Sequence, residues 1–334
     1  DVWTLNLKTF EWIEISPTGI PPQARYEHNS VIFKDDLIII GGHNRSKHFT
    51  DIFKLNLKTN TWSKFNTTFG IRNGYTHVFN NSLITFGGMI DKSNSRKDVQ
   101  IMNFYDTLVW KKLDDSTSST PPYIYHNQMH MHKNKIYMCA GLGEDNKART
   151  NTYTYDLNTN KWTDIGSDGF GAGRYGYTSV KHNEKIYMFS GWEGWYKNDL
   201  KEFHTCEKKW KIVNAQGVIP EARYLSSSIL FKDKMYIFGG WGVGLNVEGG
   251  NVKHGFFNDV YSLNLNTKEW CKLKLNIKNK SKIALKNYST INTVKNLYMS
   301  KSFRKEYDGV FDINHVEIKK ARFGGGHISS AFRA

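Results

Sequence analysis

Residues 234–240 read KMYIFGG, and residues 258–270 read NDVYSLNLNTKEW. The first segment is an apolar strand that ends in two glycines, and the second is a strand followed by a turn and a tryptophan. Both segments recur along the chain with a period of about fifty residues. The tryptophans that end the second segment are Trp12, Trp62, Trp110, Trp162, Trp210 and Trp270, which are 50, 48, 52, 48 and 60 residues apart.

The two small residues that end the first segment keep the same period. These pairs are Gly41-Gly42, Gly87-Gly88, Ala140-Gly141, Ser190-Gly191 and Gly239-Gly240, whose starts are 46, 53, 50 and 49 residues apart. Two independent landmarks that share one period and one phase indicate an internal repeat.

Each repeat contains four short strand signals. Turn residues such as Lys232-Asp233-Lys234 precede the apolar strand, and Asn266-Thr267-Lys268 precedes the final tryptophan. Turn residues between two strand signals predict a β-hairpin, so two hairpins give a four-stranded antiparallel sheet. Four-stranded sheets at this period are the blades of a β-propeller, in which each blade buries its faces against its neighbours. The sequence therefore predicts an all-β fold.

These landmarks resemble the kelch repeat. The resemblance rests on the double glycine, on Asn258-Asp259-Val260-Tyr261, on the trailing tryptophan, and on the Pro-x-x-Arg-Tyr segments 22–26 and 220–224. It extends over nearly the whole chain. It implies a kelch-type β-propeller that forms a single domain over residues 1–334, either alone or within a longer multidomain protein.

The blade count depends on the two ends of the chain. Residues 271–334 are expected to form a degenerate last repeat and a closing segment, in which Leu297–Ser300 replaces the apolar strand and the glycine pair. The chain begins with a third strand, and in kelch-like propellers strands from both ends often share a blade. Six or seven blades are predicted, and the strand count gives seven: five full repeats, a sixth, and one shared blade.

Long loops between the second and third strands of each repeat define the predicted binding face. They lie on the same side as the connections between blades, because strand direction alternates in an antiparallel sheet. These loops hold twelve basic and six acidic residues together with several aromatic residues. Arginine and aromatic residues dominate interface hot spots. We therefore predict that this face binds an acidic peptide or protein through Arg45, Lys47, Arg96, Lys97, Lys147, Arg149, Trp192, Trp195, Tyr196, Trp241, Lys253 and Arg304. The alternative is an ordinary solvated rim with its tryptophans packed between blades.

Charge and composition set the other expectations about partners. The formal net charge of +15 favours acidic proteins, nucleic acid or an anionic surface. Nucleic acid is the less favoured partner, because the basic residues are spread over loops and turns. No apolar run approaches the ~18 residues of a membrane span. Three cysteines without a Cys-x-x-Cys pair suggest a reducing, cytoplasmic location.

No catalytic motif stands out, so the chain is expected not to be an enzyme and to carry no catalytic residue, cofactor or metal. The alternative is a metal held by His126, His130 and His132, which alternate along one predicted strand. Kelch propellers also serve as recognition or targeting domains of ubiquitin ligases and phosphatases, and some are catalytic. The resemblance therefore leaves those functions open as well.

A recurring arginine is the last sequence signal. Arg25, Arg174 and Arg223 occupy the same repeat position. Recurrence points to structure more than to ligand binding, and we predict that these arginines tie one blade to the next through backbone carbonyls.

Overall fold

The structure, a computed structural model, describes residues 2–44, 46–65, 67, 74–89, 96–104, 109–113, 121–122, 124–244, 253–277, 290–292 and 296–300. Every regular element in these ranges is a β-strand, which confirms the predicted all-β fold. Across the same ranges, no helix is long and apolar enough to cross a membrane.

The strands form six four-stranded antiparallel blades, whose strands are lettered a to d from the centre outward. Blade 1 consists of Asn29–Phe33, Asp36–Ile40, Ile52–Asn56 and Thr61–Phe65. Blade 2 consists of Tyr75–Phe79, Ser82–Phe86, Val99–Asn103 and Lys111–Leu113. Blade 3 consists of Gln128–His132, Lys135–Gly143, Ala148–Asp156 and Lys161–Gly166.

The second half of the ring follows the same order. Blade 4 consists of Thr178–His182, Lys185–Phe189, Leu200–His204 and Lys209–Val213. Blade 5 consists of Ser227–Phe231, Lys234–Phe238, Val260–Asn264 and Glu269–Lys272. Blade 6 consists of Thr290–Asn292, Asn296–Ser300, Val2–Asn6 and Glu11–Ile15. Short strands outside this pattern are Thr18–Gly19, Ile124–Tyr125, Gln216–Gly217, Arg223–Tyr224, Trp241–Gly244, Lys253–Phe256 and Asn276–Ile277.

Blade 6 closes the ring because it joins the two ends of the chain. Val2–Asn6 pairs antiparallel with Asn296–Ser300, from Val2 opposite Ser300 to Asn6 opposite Asn296. Strand a of each blade contacts strand a of the next, and Thr290–Asn292 contacts the inner strands of both blade 5 and blade 1. The six inner strands therefore form a complete circle.

Of the two predicted blade counts, the described residues form six, and the strand count of seven is wrong. The count assigned Leu297–Ser300 to a sixth blade and the N-terminal strands to a separate shared blade. In the structure these strands pair with each other, so the two predicted blades are one. The rest of the predicted closing segment, from Lys301 onward, lies outside the described residues.

The recurring tryptophans fill the interfaces between blades. In blades 1 and 3 to 6 they are buried in strand d. Trp162 of blade 3 lies 4.8 Å from Phe86 of blade 2, and Trp270 of blade 5 lies 4.7 Å from Phe189 of blade 4, measured between ring centroids. Each of these phenylalanines ends strand b immediately before the pair of small residues. Trp12 of blade 6 and Phe238 of blade 5 make the same contact at 6.4 Å, so the repeat encodes this aromatic contact at three of the blade interfaces.

The outer edge of several blades is covered by the connection arriving from the blade before. Thr18–Gly19 leaves blade 6 and pairs in parallel with strand d of blade 1. Gln216–Gly217 pairs in the same way with blade 5, and Asn276–Ile277 with blade 6. Backbone groups that an edge strand would expose are thereby bonded.

Candidate partner-binding face

The recurring arginines are buried structural residues at the rim of the long-loop face, the side that carries the loops between strands b and c. Arg223 is 0% exposed. Its Nη1 donates to the Gly239 carbonyl at 2.9 Å and to Asp259 at 2.6 Å. Both partners belong to blade 5, so the side chain binds strands b and c of its own blade. The equivalent acceptors are Gly41 and Asp51 for Arg25, and Ser190 and Asp199 for Arg174.

The predicted tie between blades is correct for the arginine main chain and wrong for its side chain. The Gly191 N–H of blade 4 donates to the Arg223 carbonyl at 2.8 Å. The Gly141 N–H of blade 3 donates to the Arg174 carbonyl at 2.8 Å. Arg174 and Arg223 thus each link two blades through the main chain. The guanidinium of all three arginines closes one blade.

Blade 3 shows that the buried arginine and aspartate act together, because both residues are replaced in this blade. Ile124 occupies the arginine position and is 2% exposed, and Asn151 occupies the aspartate position. A buried carboxylate without its cation would be strongly destabilising. The loss of both charges in one blade therefore identifies the arginine and aspartate as one structural unit.

Two of the predicted long loops contain antiparallel strand pairs that extend above the blades. In blade 3, strands b and c extend beyond the glycine position to Gly143 and from Ala148. In blade 5, Trp241–Gly244 pairs antiparallel with Lys253–Phe256. These hairpins raise side chains above the long-loop face on a fixed backbone.

An aromatic cluster joins the raised loops of blades 4 and 5. The aromatic cluster consists of Trp192, Trp195, Tyr196, Tyr224, Trp241 and His254. The indole N–H of Trp241 donates to the Tyr196 hydroxyl at 2.9 Å, and that hydroxyl lies 3.2 Å from His254 Nδ1. Burial raises the pKa of Tyr196, so its hydroxyl remains neutral and able to donate. Hydrogen bonds from both blades therefore hold the base of the cluster.

Like His254, Trp195 is an exposed member of this cluster. Its side chain is 53% exposed, whereas Tyr196 beneath it is 8% exposed. The Trp195 ring lies 5.5 Å from Tyr196, 6.0 Å from His254 and 6.3 Å from Trp192, measured between centroids. The four predicted aromatic residues Trp192, Trp195, Tyr196 and Trp241 are thus brought together. An exposed indole on a fixed base is suited to packing against a partner.

The predicted basic residues are more widely spread than the aromatic ones. Arg149 pairs with Asp145 of its own hairpin at 2.8 Å, and Arg96 lies 3.4 Å from Asp98. Lys97 of blade 2 lies 3.9 Å from Glu144 of blade 3. These contacts reduce the positive charge available to a partner, which a count of basic residues does not reveal.

Lys47 and Lys147 are exposed, and in the described part of the chain neither has a carboxylate within ion-pair distance. The Lys47 ammonium lies 5.0 Å from the centroid of the Phe49 ring. Arg45 and Arg304 lie outside the described residues, and so does the side chain of Lys253, whose backbone is in the blade 5 hairpin.

The three histidines considered for a metal have separate surroundings, and the His126 ring lies 4.9 Å from the Tyr125 ring, measured between centroids. His130 Nε2 lies 2.7 Å from Ser179 Oγ, and His132 Nε2 lies 2.7 Å from Glu184. Burial lowers the pKa of His130 to about 3, so its imidazole is neutral. Within the described ranges, no group of three or more His, Cys, Asp or Glu side chains is placed to hold a metal ion.

Sequence reasoning missed Tyr224 and His254 as parts of the cluster. Tyr224 follows the recurring arginine, and its equivalents Tyr26, Tyr125 and Tyr175 also reach the raised loops through backbone pairing. That recurrence is a signal that the sequence contained. His254 lies within the longest loop, at a position that no other repeat shares, so no periodic signal pointed to it.

Six four-stranded blades around a closed ring define the chain as a β-propeller. The profile of the KLHDC2/KLHL20/DRC7 Kelch-repeats domain matches residues 1–74 and 68–240, and the Kelch motif matches residues 222–274. The chain belongs to the kelch-repeat family. The solved structure titled "Structure of YjhT" shares this fold, with a TM-score of 0.64 at 16% sequence identity over 83% of this chain and 90% of that one.

Several curated proteins are similar in sequence. The leucine-zipper-like transcriptional regulator 1 homolog of Drosophila melanogaster is 24% identical over 72% of this chain and 27% of its own length. Human host cell factor 2 is 26% identical over 78% of this chain and 37% of its own length. Human kelch domain-containing protein 10 is 24% identical over 76% of this chain and 61% of its own length. The chain thus spans between a quarter and three fifths of these relatives.

Proposed function

We propose that this chain is a protein-binding module whose long-loop face receives an acidic segment of a partner protein. The observation that carries the proposal is the exposed Trp195 side chain, held by the aromatic cluster that blades 4 and 5 build together. A ring that is already fixed loses little conformational freedom when a partner packs against it, and such rigid anchors favour affinity.

The acidity of the partner is supported by charge. The net charge of +15 attracts acidic segments over a distance of about one Debye length. Lys47 is exposed and has no carboxylate within ion-pair distance among the described residues, so it supplies a cation that such a segment would meet first. Lys147 is also exposed and lies near Asp145 without forming an ion pair with it. Basic residues already paired with acids, such as Arg149, contribute less.

A binding function is favoured over catalysis. None of the three relatives described above carries an enzyme's name; one is named as a transcriptional regulator. The aromatic cluster also lies on raised hairpins rather than around a set of acid, base and nucleophile.

A second candidate is a recognition or targeting domain within a larger protein. It is supported by the fraction of each relative that the chain spans, which ranges from 27% to 61% in the relatives described. The same long-loop face would bind the target in that case.

Affinity capture from native lysate, read by mass spectrometry, tests the proposal. We expect Trp195→Ala and the double variant Lys47→Glu/Lys147→Glu each to reduce partner recovery by at least tenfold, as loss of about 1.4 kcal/mol would. The matched control is Lys8→Glu/Lys161→Glu, which reverses two exposed lysines at the opposite, short-turn side.

Two results would contradict the proposal. One is recovery of the same proteins by wild type and by Trp195→Ala. The other is recovery that disappears after nuclease treatment, which would instead identify nucleic acid as the partner.

A further inference from the structure

Blade 4 differs from blades 1 and 5 in what surrounds its buried arginine. In blade 5 the Arg223 guanidinium lies 4.0 Å from the centroid of Phe257 and 5.5 Å from that of Tyr261. These residues stand two positions before and two after Asp259. In blade 1 the same two positions hold Phe49 and Phe53, at 3.9 and 5.2 Å from Arg25. In blade 4 they hold Lys197 and Lys201.

The exchange of two aromatic rings for two lysines concentrates positive charge in blade 4. Arg174 pairs with Glu193 at 2.5 Å and with Asp199 at 2.7 Å. The Lys197 ammonium lies 3.7 Å from Glu193. Lys201 is 4% exposed, and its ammonium donates to the Phe170 carbonyl at 2.5 Å. Three cations thus share two carboxylates, which leaves one unbalanced positive charge.

The environment of Lys201 shows that this imbalance is unfavourable. Burial, and then the charge of Arg174, lower the pKa of Lys201. Arg174 Nε also lacks a hydrogen-bond partner in blade 4, whereas the Nε of Arg223 donates to the Glu221 carbonyl at 3.0 Å. An added anion would stabilise such a cluster, because the cost of removing the buried cations from water has already been incurred in folding.

The unbalanced charge lies directly beside the aromatic cluster. Glu193, Trp195 and Lys197 belong to one short turn, in which the Glu193 N–H donates to the Trp195 carbonyl at 3.0 Å. The Lys197 N–H donates to the Gly191 carbonyl at 2.9 Å, and the Lys197 side chain is 37% exposed. Lys197 is therefore the member of the cation cluster that a partner can reach, next to Trp195.

We propose that Lys197 binds a side-chain carboxylate of the partner while Trp195 packs against a large apolar side chain beside it. This inference rests on the proposed function and specifies one of its contacts. Glu193 stays on Arg174, and the incoming carboxylate gives three anions for three cations. The partner segment therefore carries an acidic residue next to a large apolar one. A phosphate group would add almost two negative charges and exceed the imbalance.

Short synthetic probes test this contact without a known partner. The probe is N-acetyl-Glu-Leu-Leu-amide, and its comparisons are the same peptide with Gln in place of Glu and with Ser-Ser in place of Leu-Leu. Saturation-transfer NMR should show binding of the first probe, and at least fivefold weaker binding of the other two. Lys197→Gln and Trp195→Ala should each weaken the first probe by a similar factor.

Controls separate binding from folding. Lys197→Arg should keep the binding of the Glu probe, because it keeps the charge, and Lys8→Gln should leave it unchanged. Thermal melts establish that each variant is folded. Equal binding of the Glu and Gln probes to wild type, or full binding of the Glu probe to folded Lys197→Gln, would overturn the inference. So would stronger displacement of the probe by inorganic phosphate than by acetate.

The outcome is distinguishable from failure of the proposed function. If partner capture depends on Trp195 but Lys197→Gln leaves binding of the Glu probe unchanged, the proposed function stands and this contact is wrong. If Trp195→Ala leaves partner capture unchanged, the proposed function is wrong, whatever the probes show.

Discussion

At the scale of single residues, a buried pair of arginine and aspartate stabilises the long-loop end of each of three blades. Arg25, Arg174 and Arg223 are at most 3% exposed, and each reaches an aspartate of its own blade. The pair is tolerated because the guanidinium also donates to a main-chain carbonyl, which satisfies donors that burial has removed from water. It fixes the start of strand a against the start of strand c.

Removing one partner of this pair should cost more than removing both. Asp51→Asn leaves Arg25 buried without its anion, and we expect a loss of about 3 kcal/mol in the free energy of unfolding. Adding Arg25→Ile recreates the pair Ile124 and Asn151 that blade 3 contains. Urea unfolding of the four proteins in the cycle should give a coupling energy of at least about 1 kcal/mol. Strict additivity would contradict the account of a single unit.

One nitrogen of Arg25 offers a chance to add stability. Its Nη2 is buried without a hydrogen-bond partner, whereas the Nη2 of Arg223 donates to Glu221 at 3.1 Å. Gln23 is exposed and occupies the position of Glu221 in blade 1. Gln23→Glu should therefore raise the free energy of unfolding by about 1 kcal/mol. Gln23→Met serves as the neutral control, and a Glu variant no more stable than the Met variant would refute the prediction.

At the scale of elements, the short connections along the outer edges depend on a glycine with no room for a side chain. Gly217 has a φ of +81°, and a Cβ there would lie 2.3 Å from the Trp270 carbonyl oxygen. Gly19 and Gly169 stand in the same relation to Trp62 and Trp210. The clash is with backbone, so the neighbouring strand itself would have to move.

Alanine substitution separates this clash from backbone strain. Gly166 has a φ of +86°, but a Cβ there would meet nothing within 4 Å. Gly166→Ala should therefore cost only about 1 kcal/mol, the price of a left-handed alanine. Gly217→Ala should cost about 3 kcal/mol or more, since it adds steric overlap to the same strain. Equal losses in thermal or urea unfolding would show that the outer connection is not packed as described.

The strands were predictable because their signals repeat, whereas the raised hairpins were not. The strand that ends in two small residues and the tryptophan at or next to strand d recur in every full repeat, because packing between similar blades requires them. The loops above them differ from blade to blade, so the pairing of Trp241–Gly244 with Lys253–Phe256 has no periodic signal.

The basic residues of the candidate face illustrate the same limit. The sequence shows how many basic residues this face carries, but it does not show which of them form ion pairs. The distances that pair Arg149 with Asp145 and Lys97 with Glu144 depend on hairpin geometry. The aromatic residues of this face could be predicted more readily. Trp192 and Trp241 directly follow the pairs of small residues, so both are expected at the same face. Sequence therefore indicated the face, and tertiary structure decided which cations remain for a partner.

At the scale of the whole molecule, blades 3, 4 and 5 are joined near the axis by polar side chains. Ser179 donates its hydroxyl to Gln128 Oε1 at 2.9 Å, so it accepts from His130 Nε2–H at 2.7 Å. Thr178 of blade 4 and Ser228 of blade 5 are joined at 2.5 Å. Neutral His130 is part of this seam between neighbouring blades, and its charge state therefore affects the ring.

Acidification should destabilise the ring. Burial lowers the pKa of His130 to about 3 and that of His28 to about 4, whereas both are near 6.5 in an unfolded chain. Below pH 6.5 the unfolded state binds protons that the folded state does not, so stability falls as the pH falls. Between pH 7 and pH 5, each histidine should contribute a loss of about 2 kcal/mol.

His130→Gln tests the assignment, because glutamine keeps a donor for Ser179 and cannot titrate. Urea unfolding at several pH values should show a smaller loss of stability between pH 7 and pH 5 for this variant than for wild type. His182→Gln is the control, since His182 lies at the short-turn side with Asp233 at 2.8 Å. An unchanged pH slope in His130→Gln would contradict the assignment.

The closed ring brings the residues of the candidate face together. The aromatic cluster needs blades 4 and 5 at a fixed angle, and that angle is set by six blades closed through the pairing of residues 2–6 with residues 296–300. If the two ends of the chain belonged to different blades, the geometry of the long-loop face would change with the blade number.

Disulfide trapping across this junction tests the closure most directly. Thr4 lies opposite Tyr298, and opposed residues of antiparallel strands are close enough for a disulfide. In a chain with Cys206→Ser and Cys271→Ser, oxidation of Thr4→Cys/Tyr298→Cys should give an intramolecular bond in the monomer, identified by peptide mass spectrometry. Thr4→Cys/Asn296→Cys, which is two residues out of register, should form it far less. Bonds that form only between molecules, or equally in both variants, would contradict the six-bladed ring.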